Sequence, residues 1–116
     1  MSFITWDAFE KIDIRCSPIP EVTHFPQACQ PACRLLIDFG NEPGIKKSSG
    51  QITRYYSIAG LINRQVVAVV SFPPKQIAGF FSECLVPGSY DENNHVILSQ
   101  PERAAKKEAA NRLTHA

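Results

Sequence analysis

Polar and apolar residues alternate in short blocks along this chain, and one block, Val66-Val67-Ala68-Val69-Val70, is apolar throughout. Period-two alternation marks a strand with one wet face, whereas an unbroken run of β-branched residues marks a strand covered on both faces. Gln65 to Phe72 is therefore predicted as the central strand. Ile12-Asp13-Ile14-Arg15 opens a first strand that Ile19 and Val22 extend beyond Pro18 and Pro20, prolines that imply an edge or a bulge. Arg34 to Phe39 reads as the second strand, closed by Gly40-Asn41, and Ile45 to Thr53 as the third. Glu83 to Val86 and His95 to Leu98 are two more short strands, joined by the polar loop from Ser89 to Asn94.

Helical signals are brief. Asp7-Ala8-Phe9-Glu10 has the form of a capping box, predicting one turn that sets Trp6, Phe9 and Ile12 against the core as an N-terminal lid. Tyr56 to Asn63, with Ile58, Leu61 and Ile62 at helical spacing, predicts a short helical connection. Ser99-Gln100-Pro101-Glu102 resembles a second capping box, and the alanine-rich run from Arg103 to Leu113 carries Glu102/Lys106 and Glu108/Arg112 four apart, which predicts a C-terminal helix. Five or so strands with a helix between the third and fourth fit an all-β fold, a five-stranded Greek-key barrel of the OB type. Residues 1–102 would form it, and 103–116 a tail that is helical or disordered.

The 116 residues make one domain, and no apolar run approaches the ~20 residues of a spanning helix. The first residues lack a basic segment followed by an apolar one, so a cytoplasmic location is expected. In that setting Cys16, Cys29, Cys33 and Cys84 are expected as free thiols. Cys29 and Cys33 with His24 offer three zinc ligands but no second pair follows, and buried apolar thiols are the preferred reading. Neither metal nor cofactor is expected. No phosphate-cradling glycine loop, nucleophile elbow or zinc-protease helix occurs, Ser48-Ser49 has no base beside it, and Glu83 reads better as a structural carboxylate than as a general base. The chain is expected not to be an enzyme.

Charge changes the picture, because it is local. The net charge is only +1, yet the forty residues from Pro43 to Ser82 hold no Asp or Glu against Lys46, Lys47, Arg54, Arg64 and Lys75. Residues up to 42 carry three cations against six acids. Cations interleaved with Tyr55, Tyr56, Phe72, Phe80 and Phe81 are what single-stranded or looped RNA requires, charge for phosphates and rings for bases. Aromatics in the core and lysines solvating a surface would leave the same composition.

Three runs resemble a known family: Asp13-Ile14-Arg15, Gly44 to Thr53, and Val66 to Phe80 with its Phe72-Pro73-Pro74-Lys75-Gln76-Ile77-Ala78-Gly79-Phe80 segment. Together with Leu35 to Gly40 and Ser82-Glu83 they are similar to the CsaA family, small proteins built on the tRNA-binding domain that also occurs appended to some aminoacyl-tRNA synthetases. The resemblance implies an OB-fold homodimer that binds tRNA, or unfolded precursor proteins in secretion, or that acts in trans beside a synthetase. It implies nucleic-acid contacts at Lys46, Lys47, Ser48, Ser49, Arg54, Lys75 and Ser82, and an apolar peptide groove at Phe72, Ile77, Phe80 and Phe81. The chain departs from the family pattern at Cys16-Ser17-Pro18, where a glycine is usual, and in its alanine-rich tail. The terminal segments build the family's dimer contact.

Overall fold

The computed structural model describes residues 2–24, 32–77, 80–106 and 112–113, the side chain of Ile77 apart. Strand β1 (Ile14–Pro18) pairs antiparallel with β5 (Gln65–Val69), Ile14 opposite Val69 and Pro18 opposite Gln65. Proline has no N–H to donate, so the ladder stops at Pro18, and the chain leaves β5 through Ile19 and Pro20 to join a different sheet. Ile19 is fully buried at this corner, its N–H donating to the Arg64 carbonyl at 3.0 Å and its carbonyl accepting from Asn63 N–H. The continuation read from Ile19 and Val22 is thus a separate strand, β2 (Glu21–His24). It forms a meander with β3 (Cys33–Asp38) and β4 (Ile45–Gly50).

Strand β3 alternates as expected, with Cys33, Leu35 and Ile37 buried and Arg34, Leu36 and Asp38 half-buried. Its turn into β4 needs left-handed backbone at Gly40 and Gly44, both with φ of 89°. Strand β5 lies between neighbours, since Val69 exchanges two hydrogen bonds with Leu85 and Val67 N–H donates to the Ser99 carbonyl. Hairpins β6 (Lys75–Ile77) with β7 (Phe80–Ser82) and β8 (Gly88–Tyr90) with β9 (Val96–Leu98) complete the strands. Glu83 to Val86 is not a strand of its own: it contributes one bridge, Leu85 to Val69, and the partner of β9 is Gly88–Tyr90. The chain is made mostly of strands with short helices, as expected, and among the described residues no sheet closes on itself. One core joins the sheets, with Ile19, Leu35, Ile37, Phe39, Leu61, Val66 and Ala68 at its centre.

The ends of the chain depart from expectation. Helix α1 (Trp6–Glu10) is capped by Thr5, whose hydroxyl accepts from Ala8 N–H at 3.1 Å, so Asp7 falls in the first turn rather than at the cap. None of its residues is buried, and Phe3, Ile4, Trp6 (65%) and Phe9 stay exposed, the last three with Thr5 lining a shallow hollow of about 320 Å³. The aromatics do not form a lid on the core. Helix α2 (Ile58–Leu61), capped by Ser57, is the expected connection in shorter form and buries only Leu61. Residues 101–106 are not helical. The Gln65 side chain holds Ala105 instead, taking its N–H at 2.8 Å and donating to its carbonyl at 3.0 Å, while Leu113 N–H donates to the Ile14 carbonyl at 2.7 Å on the edge of β1. These long-range partners outweigh the helix propensity of the alanines; residues 107–111 lie outside the described residues. No helix among the described residues is long and apolar enough to cross a membrane.

Asp13-Ile14-Arg15 is a clamp. The Arg15 guanidinium donates to both Asp13 carboxylate oxygens at 3.0 Å and to the carbonyls of Phe39 (3.3 Å) and Glu42 (2.8 Å), tying β1 to the turn between β3 and β4. The hydrogen bond from Arg15 holds the Asp13 carboxyl below its ordinary value of 3.8. A depressed folded-state pKa stabilises the fold above the ordinary value, and that contribution fades as pH falls through the folded one. Asp13→Asn is expected to cost about 1.5–3 kcal/mol at neutral pH in urea denaturation. The gap to the parent should begin to narrow below pH 3.8, where the unfolded chain takes up the proton, and close once pH falls past the lower native value, where the native carboxylate is protonated too; a gap that stays constant in acid would show that the charge contributes nothing.

Candidate nucleic-acid interface

Pairing of β3 with β4 sets Leu35 opposite Ser48, Arg34 opposite Ser49 and Leu36 opposite Lys47. Paired residues share a face and neighbours along a strand alternate, so Arg34, Ser49, Leu36 and Lys47 lie on one side and Leu35 and Ser48 on the other. The second side is the core. Ser48 is buried, and its hydroxyl donates to the Cys84 carbonyl at 2.9 Å, 3.3 Å from the Ser82 hydroxyl. Ser82 donates to the same carbonyl at 3.0 Å. Both hydroxyls hold the fold together, and Ser48, expected as a phosphate contact, is buried out of a phosphate's reach. Lys46 pairs with Ile37 and belongs to the face opposite Lys47, so the two adjacent lysines do not act on one surface.

Glu83 locks β4 in position. Its N–H donates to the Lys47 carbonyl at 2.7 Å and its carboxylate accepts from Lys47 N–H at 3.1 Å, so it is a structural carboxylate, as expected. Lys47 therefore has a fixed backbone and a side chain directed at Phe80. The Lys47 ammonium stands 5.4 Å from the Phe80 ring centroid and the Arg34 guanidinium 5.3 Å from it. An aromatic face attracts cations, so one ring holds two positive groups from neighbouring strands at the same place. Lys75 is exposed in the adjoining hairpin, opposite Ser82 in register. Arg54 is exposed in the loop after β4. The site thus gathers Lys47 and Arg34 around Phe80, with Ser49 opposite Arg34 in register and Lys75 in the adjoining hairpin, and does not gather Lys46 or Ser48. Arg34 went unassigned by the sequence; its place between buried Cys33 and Leu35 was the signal that it faces outward.

The expected apolar groove is not one surface. Phe80 and Phe81 are neighbours in β7 and face opposite ways, Phe80 half-buried among cations and Phe81 49% exposed. Phe72 is exposed before β6, and the side chain of Ile77 lies outside the described residues. Cys16, Cys33 and Cys84 are free buried thiols; burial pushes the first two up and Cys84 up to about 12, which keeps them protonated and inert. Cys29 lies outside the described residues, and no group of three metal-ligating side chains occurs among those described.

Residues 14–109 match a family model described as "Putative tRNA binding domain". The chain belongs to the tRNA-binding domain family. Within it the chain falls in the CsaA branch expected from its motifs. The crystal structure of the CsaA chaperone protein from Picrophilus torridus is 45% identical with a TM-score of 0.85, covering 97% of this chain and 100% of that one. Chaperone CsaA from Bacillus anthracis str. Ames is 41% identical with a TM-score of 0.86 and the same coverage. The methionine–tRNA ligase of Pyrococcus furiosus is 30% identical over 106 residues, which are 91% of this chain but 14% of the ligase. The chain therefore spans a small share of the curated ligases it matches. In this tRNA-binding domain, Asp13, Arg15, Ser48, Ser82 and Glu83 make contacts that hold the fold, and Arg34, Lys47 and Ser49 lie on the outer face of β3 and β4.

The division between framework and surface is measurable. Glu83→Ala leaves the Lys47 N–H without its carboxylate and is expected to cost about 1–3 kcal/mol of stability. Lys47→Ala, which keeps that backbone pairing, should cost less than about 1 kcal/mol. Equal losses in urea denaturation would contradict the assignment.

Proposed function

We propose that this chain is a non-catalytic tRNA-binding protein that grips the RNA backbone through the outer face of β3 and β4 and the β6–β7 hairpin. One observation carries it: Arg34 and Lys47 converge on the Phe80 ring. Membership in the tRNA-binding domain family supports the same partner. The contacts are Lys47, Ser49, Lys75 and Arg34, with Arg54 and Lys46 on flanking surfaces; they position phosphates and give shape-dependent rather than sequence-dependent binding. The strands assemble as an OB-type barrel, the protein works in the cytoplasm, and two copies pair through the exposed apolar side chains Phe3, Ile4, Trp6 and Phe9, a cluster that a monomer would leave in water.

A second activity, holding unfolded precursor proteins, is favoured by the exposed Phe72 and Phe81 and by the name chaperone carried by the CsaA proteins to which the chain is similar. Service as an accessory module beside a synthetase agrees with the likeness to part of methionine–tRNA ligase.

Binding of tRNA across a salt series, with the mass in solution measured in the same buffers, tests the proposal. Affinity should fall steeply with salt, and each of Lys47→Ala, Lys75→Ala and Arg34→Ala should flatten the slope by about 0.7–0.9. The mass should be that of a dimer. Salt-independent binding, or slopes unchanged by all three substitutions, would overturn it.

A further inference from the structure

We propose that Tyr55 is a stacking platform for an unpaired nucleobase, a contact that rests on the tRNA reading above and adds to it a site for single-stranded RNA. The loop between β4 and α2 carries two adjacent tyrosines with different fates. Tyr56 packs against the core, and its hydroxyl accepts from Leu98 N–H at 3.0 Å while Arg64 lies over its ring. Tyr55 is left 51% exposed.

An exposed ring on a loop is ordinarily free to turn, and this one is held. Its hydroxyl donates to the Asp91 carboxylate. Asp91 is in turn fixed by Asn93 N–H at 2.8 Å and His95 N–H at 2.9 Å, both on Oδ1, in the turn between β8 and β9. The imidazole of His95 meets the Tyr55 ring edge-to-face, centroids 5.7 Å apart and planes at 88°. One turn distant in sequence thus holds both the tyrosine's tip and one part of its ring, while about half of the residue stays open to water. A ring fixed before binding loses little freedom when a base stacks on it.

The charges around it select a base over a phosphate. Asp91 and exposed Glu92 make this end of the molecule a poor place for a backbone anion, whereas stacking needs no net charge and every base has a π-face. Arg54, exposed beside Tyr55, is the flanking cation. The preference is for a base that is not already stacked in a helix, so the ligand is single-stranded or looped RNA.

The test compares Tyr55→Ala and Tyr55→Phe with the parent on a short single-stranded oligoadenylate, a fully paired RNA duplex and tRNA. Tyr55→Ala should weaken oligoadenylate binding about ten-fold or more with an unchanged salt slope, and leave the duplex unaffected. Tyr55→Phe keeps the ring and should retain most of the affinity. Ultraviolet cross-linking of the parent to a thiouridine-containing single strand should label the peptide that holds Tyr55, a readout that does not depend on any variant folding. Parent-like oligoadenylate binding by Tyr55→Ala, an equal loss on duplex, or a label elsewhere would overturn the proposal while leaving tRNA binding standing. A parent that binds none of the three RNAs would remove both.

Discussion

The antiparallel register of β3 on β4, with Leu35 opposite Ser48, decides which side chains of this protein meet water. A slip of one residue would turn Lys47 and Ser49 inward and expose Ser48, because side chains alternate with a period of two. Two contacts from outside the pair prevent that slip. Glu83 takes both backbone groups of Lys47, and the hydroxyls of Ser48 and Ser82 converge on one carbonyl, that of Cys84. The edge of β4 is thereby closed by the segment that follows β7, and the cations on its outer face inherit the rigidity of the core behind them.

A second constraint holds the first strand. Arg15 reaches from β1 to the Phe39 and Glu42 carbonyls, so the turn between β3 and β4 cannot drift away from the β1–β5 pair. Arg112 adds its own donors to the Glu10 and Ile12 carbonyls, and Leu113 pairs with Ile14, so residues 112–113 cover part of the open side of β1. Unpaired strand edges attract other chains, and covering one with a terminal segment is a general remedy. The exposed aromatic side chains of α1 lie outside this framework.

The parts legible in the sequence were those governed by local pattern. Buried alternation along β3, the apolar run of β5 and the Gly40 turn follow from period and from turn chemistry, and the structure has them within a few residues. The expected lid at Trp6 and Phe9 and the helical start at 103–106 departed from expectation where the chain's own context decided. Thr5 caps α1 where the sequence pattern pointed to Asp7, and the helix forms without burial of Trp6 or Phe9. Ala105 sits in a good helical sequence, yet the Gln65 amide satisfies both of its backbone groups. In the site, a Ser-Ser pair and a Lys-Lys pair look equivalent until the register is known, and only then does alternation separate Ser48 from Ser49 and Lys46 from Lys47. Arg34 meets Phe80 across the fold, a proximity that no spacing encodes.

What unites these features is a nearly neutral protein in which Arg34 and Lys47 are brought to one surface by register rather than by total charge. Phosphate affinity depends on where cations stand, so a net charge of +1 is no obstacle. The measurement that tests this most directly is the mapping of backbone amide resonances as tRNA is added to the labelled protein. The account predicts that the shifts concentrate at Arg34, Lys47, Ser49, Phe80 and Lys75 and recede when salt is raised. Shifts confined to the exposed segment from Phe3 to Phe9, or none at all in a folded protein, would contradict it.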